Sequence, residues 1–345
     1  MSTPAPAVTA DLSSPRRLAG RTVRPVGLGC MNLSHGYSRF PSREEAVALV
    51  VRAVEDGVDH LDTATLYGGG ANEEVVGEAL RRLGPEARGR VLLASKCGLT
   101  AGGERRVDGR PDTLRAQVDA SLRRLGQERI DLYYLHRLDA AVPVEESVGA
   151  LAEAVAAGKI GAVGLSEVCG ATLERAVAEH PVAAVQNEYS LVTRNPEWGL
   201  LEACRRHDVA LVAFSPVSRG LLTDAPPAVD ALPEGDMRRH MPRFSAEHWP
   251  ANLALREALA AEAARLGVTT ASLAVAWVLA QGEDVVAIPG TTRWEHWVED
   301  RDAERVRLSA EDVARLDALV NHATVSGARY SDAQQASVDT ERTPR

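Results

Sequence analysis

Four ionisable side chains fall where short apolar runs stop. Asp62 closes "VDHLD", Lys96 closes "VLLASK", His136 closes "IDLYYLH", and Tyr67 follows Asp62 in "HLDTATLYGGG". A phenol at its ordinary pKa of about 10 is a reluctant proton donor. A neighbouring ammonium stabilises the phenolate and lowers that pKa, while a carboxylate keeps the ammonium charged and in place. An imidazole alongside can orient or polarise a carbonyl oxygen. Such a group delivers a proton to a developing alkoxide, and the matching hydride has to come from a cofactor, because no side chain supplies one. Taken singly, each residue has a plainer reading. Asp62 would be a turn or cap residue, Tyr67 a rim aromatic, Lys96 a stem reaching solvent, and His136 a satisfied strand-end histidine. Their gathering on three successive run ends is what favours chemistry.

The runs that would position these groups alternate with amphipathic stretches. Apolar, β-branched segments predict strands at 26–29, 58–62, 91–96, 130–136, 162–166, 184–187, 210–215 and 285–288. Between them, "SREEAVALVVRAVEDG" opens on Ser42 with Glu45 placed for a capping box, and "RPDTLRAQVDASLRRLG" closes on Gly126. Eight strand–helix units with near-continuous apolar strands predict a parallel sheet closed as a (β/α)8 TIM barrel. A doubly wound sheet would want G-x-G-x-x-G after its first strand, and "VGLGCMNLSHG" does not supply it. In a barrel, active groups hang from the C-terminal strand ends, which is where the four residues lie. "RRLAGRTVRP" reads as an N-terminal β-hairpin closing the barrel floor, and 217–250 as a lid-like loop. The expected organisation is a flexible N-terminus at 1–17, one barrel domain at 18–325, and a C-terminal tail at 326–345 partly packed on the barrel.

Bulk properties narrow the function classes. The chain has 345 residues, 45% hydrophobic and 25% charged, with a net charge of −9. That composition supports a sizeable core and argues against nucleic acid or an anionic membrane as the main partner. Four scattered cysteines, Cys30, Cys97, Cys169 and Cys204, match neither a disulfide framework nor a metal site. No signal peptide opens the chain, and its densest apolar helix, "ASLAVAWVLA", is too short to span a bilayer. A cytoplasmic protein with no bound metal is expected, its oligomeric state undetermined.

The blocks "LDTATLYGGGANEEVVGEAL", "LLASKCG", "IDLYYLHRLD", "GKIGAVGLSEV", "VQNEYSL", "FSPVSRGLLT" and "IPGTTR" resemble, in this order, the signature blocks of the aldo-keto reductase family. The likeness extends from about residue 18 to about 339, and "GARYSDAQ" resembles a bacterial subgroup of short-loop members. The resemblance implies an oxidoreductase that uses NADPH, with NADH as a second candidate, to reduce an aldehyde or ketone. Asp62, Tyr67, Lys96 and His136 then match the catalytic tetrad, Tyr67 as general acid. By the same resemblance, Ser166 and Gln186 hold the nicotinamide carboxamide and Phe214 stacks on its ring. Ser215, Pro216, Gly220 and Leu221 belong to the loop around the pyrophosphate. Gly290, Thr291, Thr292 and Arg293 grip the adenosine 2'-phosphate, and Glu299 and Asp300 the adenine. Three positions depart from the pattern. Glu167 replaces a frequent Asn and is expected to alter the carboxamide contacts, Thr292 removes a charge from the phosphate pocket, and Asp300 replaces an Asn near the adenine. Met31, Asn32, His35, Tyr37, Phe40, Arg137 and parts of 238–249 are candidate pocket residues. The glycines after Tyr67 are read either as thinning the loop for substrate approach or as serving the turn alone. Two other readings stay open: a nucleotide-binding sensor or regulatory subunit on the same barrel, and a lyase or isomerase using Lys96 as a Schiff base.

Overall fold

The computed structural model describes residues 11–100 and 106–342. A hairpin of β1 (Arg16–Leu18) and β2 (Arg21–Val23) comes first, followed by β3 (Leu28–Gly29), β4 (His60–Asp62) and β5 (Leu92–Cys97). A small antiparallel pair, β6 (Leu99–Thr100) and β7 (Arg106–Val107), precedes β8 (Leu132–Leu135), β9 (Val163–Ser166) and β10 (Val182–Glu188). The set ends with β11 (Ala210–Phe214) and β12 (Val285–Ile288). Eight of these form one parallel sheet in the order β12-β11-β10-β9-β8-β5-β4-β3. Its two edges meet: Gly27 N donates to Ala287 O and Gly29 N to Pro289 O, each at 2.9 Å, closing the barrel. Glycine is needed at that seam, since a Cβ on Gly29 would stand 2.7 Å from Ile288 O.

The helices α1 (Arg43–Glu55), α2 (Ala71–Arg82), α3 (Pro85–Arg90), α4 (Pro111–Leu125), α5 (Val144–Ala156) and α6 (Gly170–Glu179) follow the early strands. The later ones are α7 (Leu200–Arg206), α8 (Trp249–Leu266), α9 (Thr270–Leu279), α10 (Trp294–Asp302), α11 (Ala310–Leu319) and α12 (Asp332–Gln335). The capping box read at Ser42 and Glu45 is present, and α4 ends on Gly126 in the left-handed conformation. No single helix among the described residues is long and apolar enough to cross a membrane.

Period-two alternation splits the barrel's apolar residues into two layers. Leu61, Leu93, Tyr133, Leu165, Val185 and Leu211 face outward into the main core beneath the helices. Leu92, Ala94, Leu132, Tyr134, Ala184, Val212 and Val286 fill the interior, where Leu18 and Val23 of the hairpin join them as a floor. Gly164 makes room for this filling, because a Cβ there would overlap the Tyr134 ring. The packed body begins earlier than residue 18. Leu12 is fully buried in the main core and β1 starts at Arg16, so only residues 1–10 of the expected flexible terminus lie outside the described residues. At the other end the segment after α11 returns to the barrel, where Asp339 N donates to Glu167 O at 3.0 Å.

Candidate active site

The alternation that packs the interior also aims the polar residues at its mouth. Asp62, Lys96, His136, Ser166 and Gln186 sit at the C-terminal ends of β4, β5, β8, β9 and β10, each two residues beyond an inward-facing position. Lys96 is fully buried. Its ammonium pairs with one oxygen of Asp62, donates to Thr63 O at 2.9 Å, and donates to the Tyr67 hydroxyl at 3.3 Å. Gln186 Nε2 donates to the other Asp62 oxygen at 2.7 Å. Tyr67 lies between two imidazoles, with His136 edge-on at 5.8 Å between ring centres and His35 stacked at 5.5 Å. The four residues read from the sequence therefore converge, with Asp62, Tyr67 and His136 facing a cavity of about 940 Å³ and Lys96 behind them.

The electrostatics partly reverse the expected direction. Burial pushes the Tyr67 phenol above its ordinary value, and Lys96 opposes that shift without overcoming it. Burial also works against the Lys96 ammonium, but Asp62 and Tyr67 together, through charge and hydrogen bonds, outweigh it and the lysine is held above its ordinary value. Lys96 thus tempers the cost of forming a buried phenolate rather than making the phenol acidic outright. A buried ammonium bonded to Asp62, Thr63 O and Tyr67 counts against the free amine a Schiff base requires, and so against the lyase or isomerase reading.

The glycines after Tyr67 serve the turn. Gly68, Gly69 and Gly70 have φ of 59°, 65° and 98°. Side chains at Gly68 and Gly70 would crowd Ser34 and Arg124, away from the cavity.

From the tetrad the cavity runs past Ser166, Gln186, Phe214, Ser215, Pro216 and Gly220. It continues to Gly290, Thr291, Thr292, Arg293, Glu299 and Asp300. Leu221 is the exception. Its side chain is buried in the main core because the turn at 218–220 swings it inward. Ser215, Ser218 and Arg219 have φ of 52°, 47° and 56°, a non-glycine strain that marks a loop shaped for close approach. At the far end Arg293 precedes α10 and is largely exposed, while Thr291 Oγ1 accepts from Arg293 N at 3.1 Å. A helix N-terminus beside a guanidinium and a hydroxyl is suited to a phosphate group. Burial, helped by Glu299, raises the Asp300 carboxyl well above its ordinary value.

Glu167 does not face the cavity. It adopts φ of 56° and is fully buried, its carboxylate accepting from Glu188 N at 3.0 Å and from both Arg329 nitrogens at 3.2 and 2.8 Å. Arg219 continues the network, donating to Glu188 at 3.1 Å and to the Tyr330 hydroxyl at 3.2 Å. The expected change to the carboxamide contacts is therefore replaced by another role: this glutamate fastens the C-terminal segment to the barrel rim. That segment adds Tyr330, Gln334, Ser337 and Val338 to the cavity wall, and α10 adds His296. "GARYSDAQ" was the only hint of the former, and His296 carried no signal at all. Among the earlier pocket candidates, Met31, Asn32, His35, Tyr37 and Arg137 line the cavity, whereas Phe40 is turned out and 45% exposed. The lid-like segment contributes Asp236, Met237 and Arg238, anchored where Met237 N donates to Gly36 O at 3.0 Å. Among the described residues no group of three His, Cys, Asp or Glu is placed to hold a metal ion.

A family model described as "Aldo/keto reductase family" matches residues 25–321. The chain is similar to the aldo-keto reductase yakc [NADP(+)] of Schizosaccharomyces pombe, with 40% identity over 91% of this chain and 94% of that protein. Among solved structures it is similar to the glycerol dehydrogenase AKR11B4 from Gluconobacter oxydans, at 29% identity and a TM-score of 0.81, covering 89% of this chain and 95% of that one. It is also similar to an aldo/keto reductase from Klebsiella pneumoniae in complex with NADP and acetate, at 27% identity and a TM-score of 0.68, covering 92% and 99%.

Proposed function

The chain belongs to the aldo/keto reductase family, and from that premise we propose that it reduces a small aldehyde or ketone at the expense of NADPH, with Tyr67 as the proton donor. The observation that carries this reading is the Asp62–Lys96–Tyr67 chain, which ends in a hydroxyl at the cavity wall. Bound in the cavity, a reduced nicotinamide would supply the hydride. Ser166 and Gln186 would orient its carboxamide, Phe214 would face its ring, and the strained 215–220 loop would follow its phosphates, a reading supported by their lining the cavity. Thr291, Arg293 and the start of α10 suit a 2'-phosphate, which is why NADPH is favoured over NADH.

The protein's own residues then manage the proton. Tyr67 donates to the carbonyl oxygen as charge develops there, and Lys96 stabilises the phenolate left behind. Asp62, held by both Lys96 and Gln186, keeps that ammonium in register. His136, edge-on to the phenol, helps to place the oxygen. Because burial raises the Tyr67 phenol, it stays protonated through neutral pH, and reduction should fall only as alkaline pH removes that proton. The sensor reading has less support, since a pure nucleotide holder has no use for a buried ammonium trained on a cavity-facing hydroxyl.

The test is a panel of aldehydes and ketones monitored by loss of NADPH absorbance, run in parallel with NADH. Turnover favouring NADPH is expected. Tight nucleotide binding, seen as fluorescence quenching, with no turnover across the panel would replace this reading with the sensor.

A further inference from the structure

Arg137 immediately follows His136 and lines the catalytic end of the cavity, only 8% exposed. Of the other guanidiniums lining the cavity there, Arg219 pairs with Glu188 at 3.1 Å and Arg238 with Asp236 at 2.7 Å, while Arg39 is exposed to water. No carboxylate lies within ion-pair distance of Arg137 among the described residues; Glu167 feels its charge from further off, but that carboxylate is already bonded to Arg329. Its Nη1 donates to His136 O at 2.6 Å and, more weakly, to Ser166 Oγ at 3.4 Å, and its buried Nε has no partner. Holding a guanidinium out of water without a counter-ion is costly, so such a group in a cavity wall marks a place where a ligand brings the negative charge. The planar fork of Arg matches a carboxylate in two-point fashion.

We propose that Arg137 binds a carboxylate carried beside the reacting carbonyl, which makes 2-oxo acids the preferred substrate class. Adjacency follows from the chain itself, because Arg137 is the next residue after the imidazole that packs edge-on against Tyr67. A carboxylate on Arg137 therefore leaves the neighbouring carbonyl oxygen close to the Tyr67 hydroxyl. In the reaction, C2 of the oxo acid gains a hydride and its oxygen gains the Tyr67 proton. A 2-hydroxy acid forms, the reduced nicotinamide is oxidised, and solvent returns a proton to Tyr67.

This inference rests on the reductase reading, and the experiment separates the two. Phenylglyoxylate and its neutral methyl ester are compared by kcat/KM, with oxalate binding measured by calorimetry as a readout independent of turnover. The unaltered protein is expected to favour the acid by at least about tenfold. In Arg137→Met the loss should fall at least about tenfold harder on the acid than on the ester, mainly through KM, with oxalate binding weakened to match. Arg137→Lys, which keeps the charge, should recover part of the preference and guards against a mere folding defect. A preference for the ester, or an equal loss on both substrates, would overturn the assignment. So would a fall in NADPH affinity with the acid-to-ester ratio unchanged, which would make Arg137 a cofactor ligand. Oxalate binding that depends on Arg137 in a protein reducing neither compound would keep the carboxylate site and reject the reductase reading.

Discussion

The floor and the mouth of the barrel are built by the same strands, on the same inward face, a few ångströms apart. On β4 the contrast spans two residues. His60 and Asp62 both point inward and are both buried. Neither nitrogen of His60 has a partner, and burial pushes its imidazole down to about 4. Asp62 is met by Lys96 at one oxygen and Gln186 at the other. The floor is otherwise apolar, with Leu92, Leu132 and Val286 closed off by Leu18 and Val23. A strand pair thus changes from packing to chemistry in one pleat repeat. What separates these two positions is that Asp62 is given partners and His60 is not.

The largest effect should come from breaking the pairing at the mouth. Lys96→Met leaves Asp62 as an uncompensated buried charge, which should cost about 3–5 kcal/mol in denaturant unfolding and abolish turnover. At the floor, Leu92→Ala should cost about 2–5 kcal/mol by leaving a cavity, yet the folded fraction should keep its KM for NADPH. If Leu92→Ala impaired catalysis as severely as stability, the separation of the two regions would not hold.

His60 gives a smaller effect, and one that depends on pH. The unfolded chain takes up a proton near the ordinary value of 6.5, the folded one only near about 4. The folded value is depressed, so the stability from neutral His60 is complete above about pH 6.5 and is lost as pH falls toward 4. The difference is about 3 kcal/mol. His60→Leu should remove about that much from the acid-side fall in unfolding free energy, measured by denaturant titration between pH 7 and 4. An unchanged slope would mean that His60 is already solvated in the native state.

Much of this was legible in the sequence, because strand alternation and strand-end polarity are local signals. The run at 285–288 matches β12, and the run at 91–96 differs from β5 by one residue at each end. Convergence of Asp62, Tyr67, Lys96 and His136 follows once those strands lie side by side. What stayed hidden depends on long-range partners. Glu167 reads as a substitution in a nicotinamide contact until Arg329, 162 residues later, is seen to hold it. Leu221 sits inside a cofactor-loop motif, but motif position does not say which way a turn throws a side chain. The net rise at Tyr67 needs the burial that only the folded barrel supplies, so the neighbouring charge alone gives the wrong sign.

The most direct test compares Tyr67→Phe with the unaltered protein, measuring turnover of a good carbonyl substrate alongside NADPH affinity by fluorescence quenching. Removing only the hydroxyl should lower turnover at least about a hundredfold while the nucleotide still binds. Reduction at the parent rate would show that some other group delivers the proton, and the chain from Asp62 through Lys96 would lose its catalytic meaning.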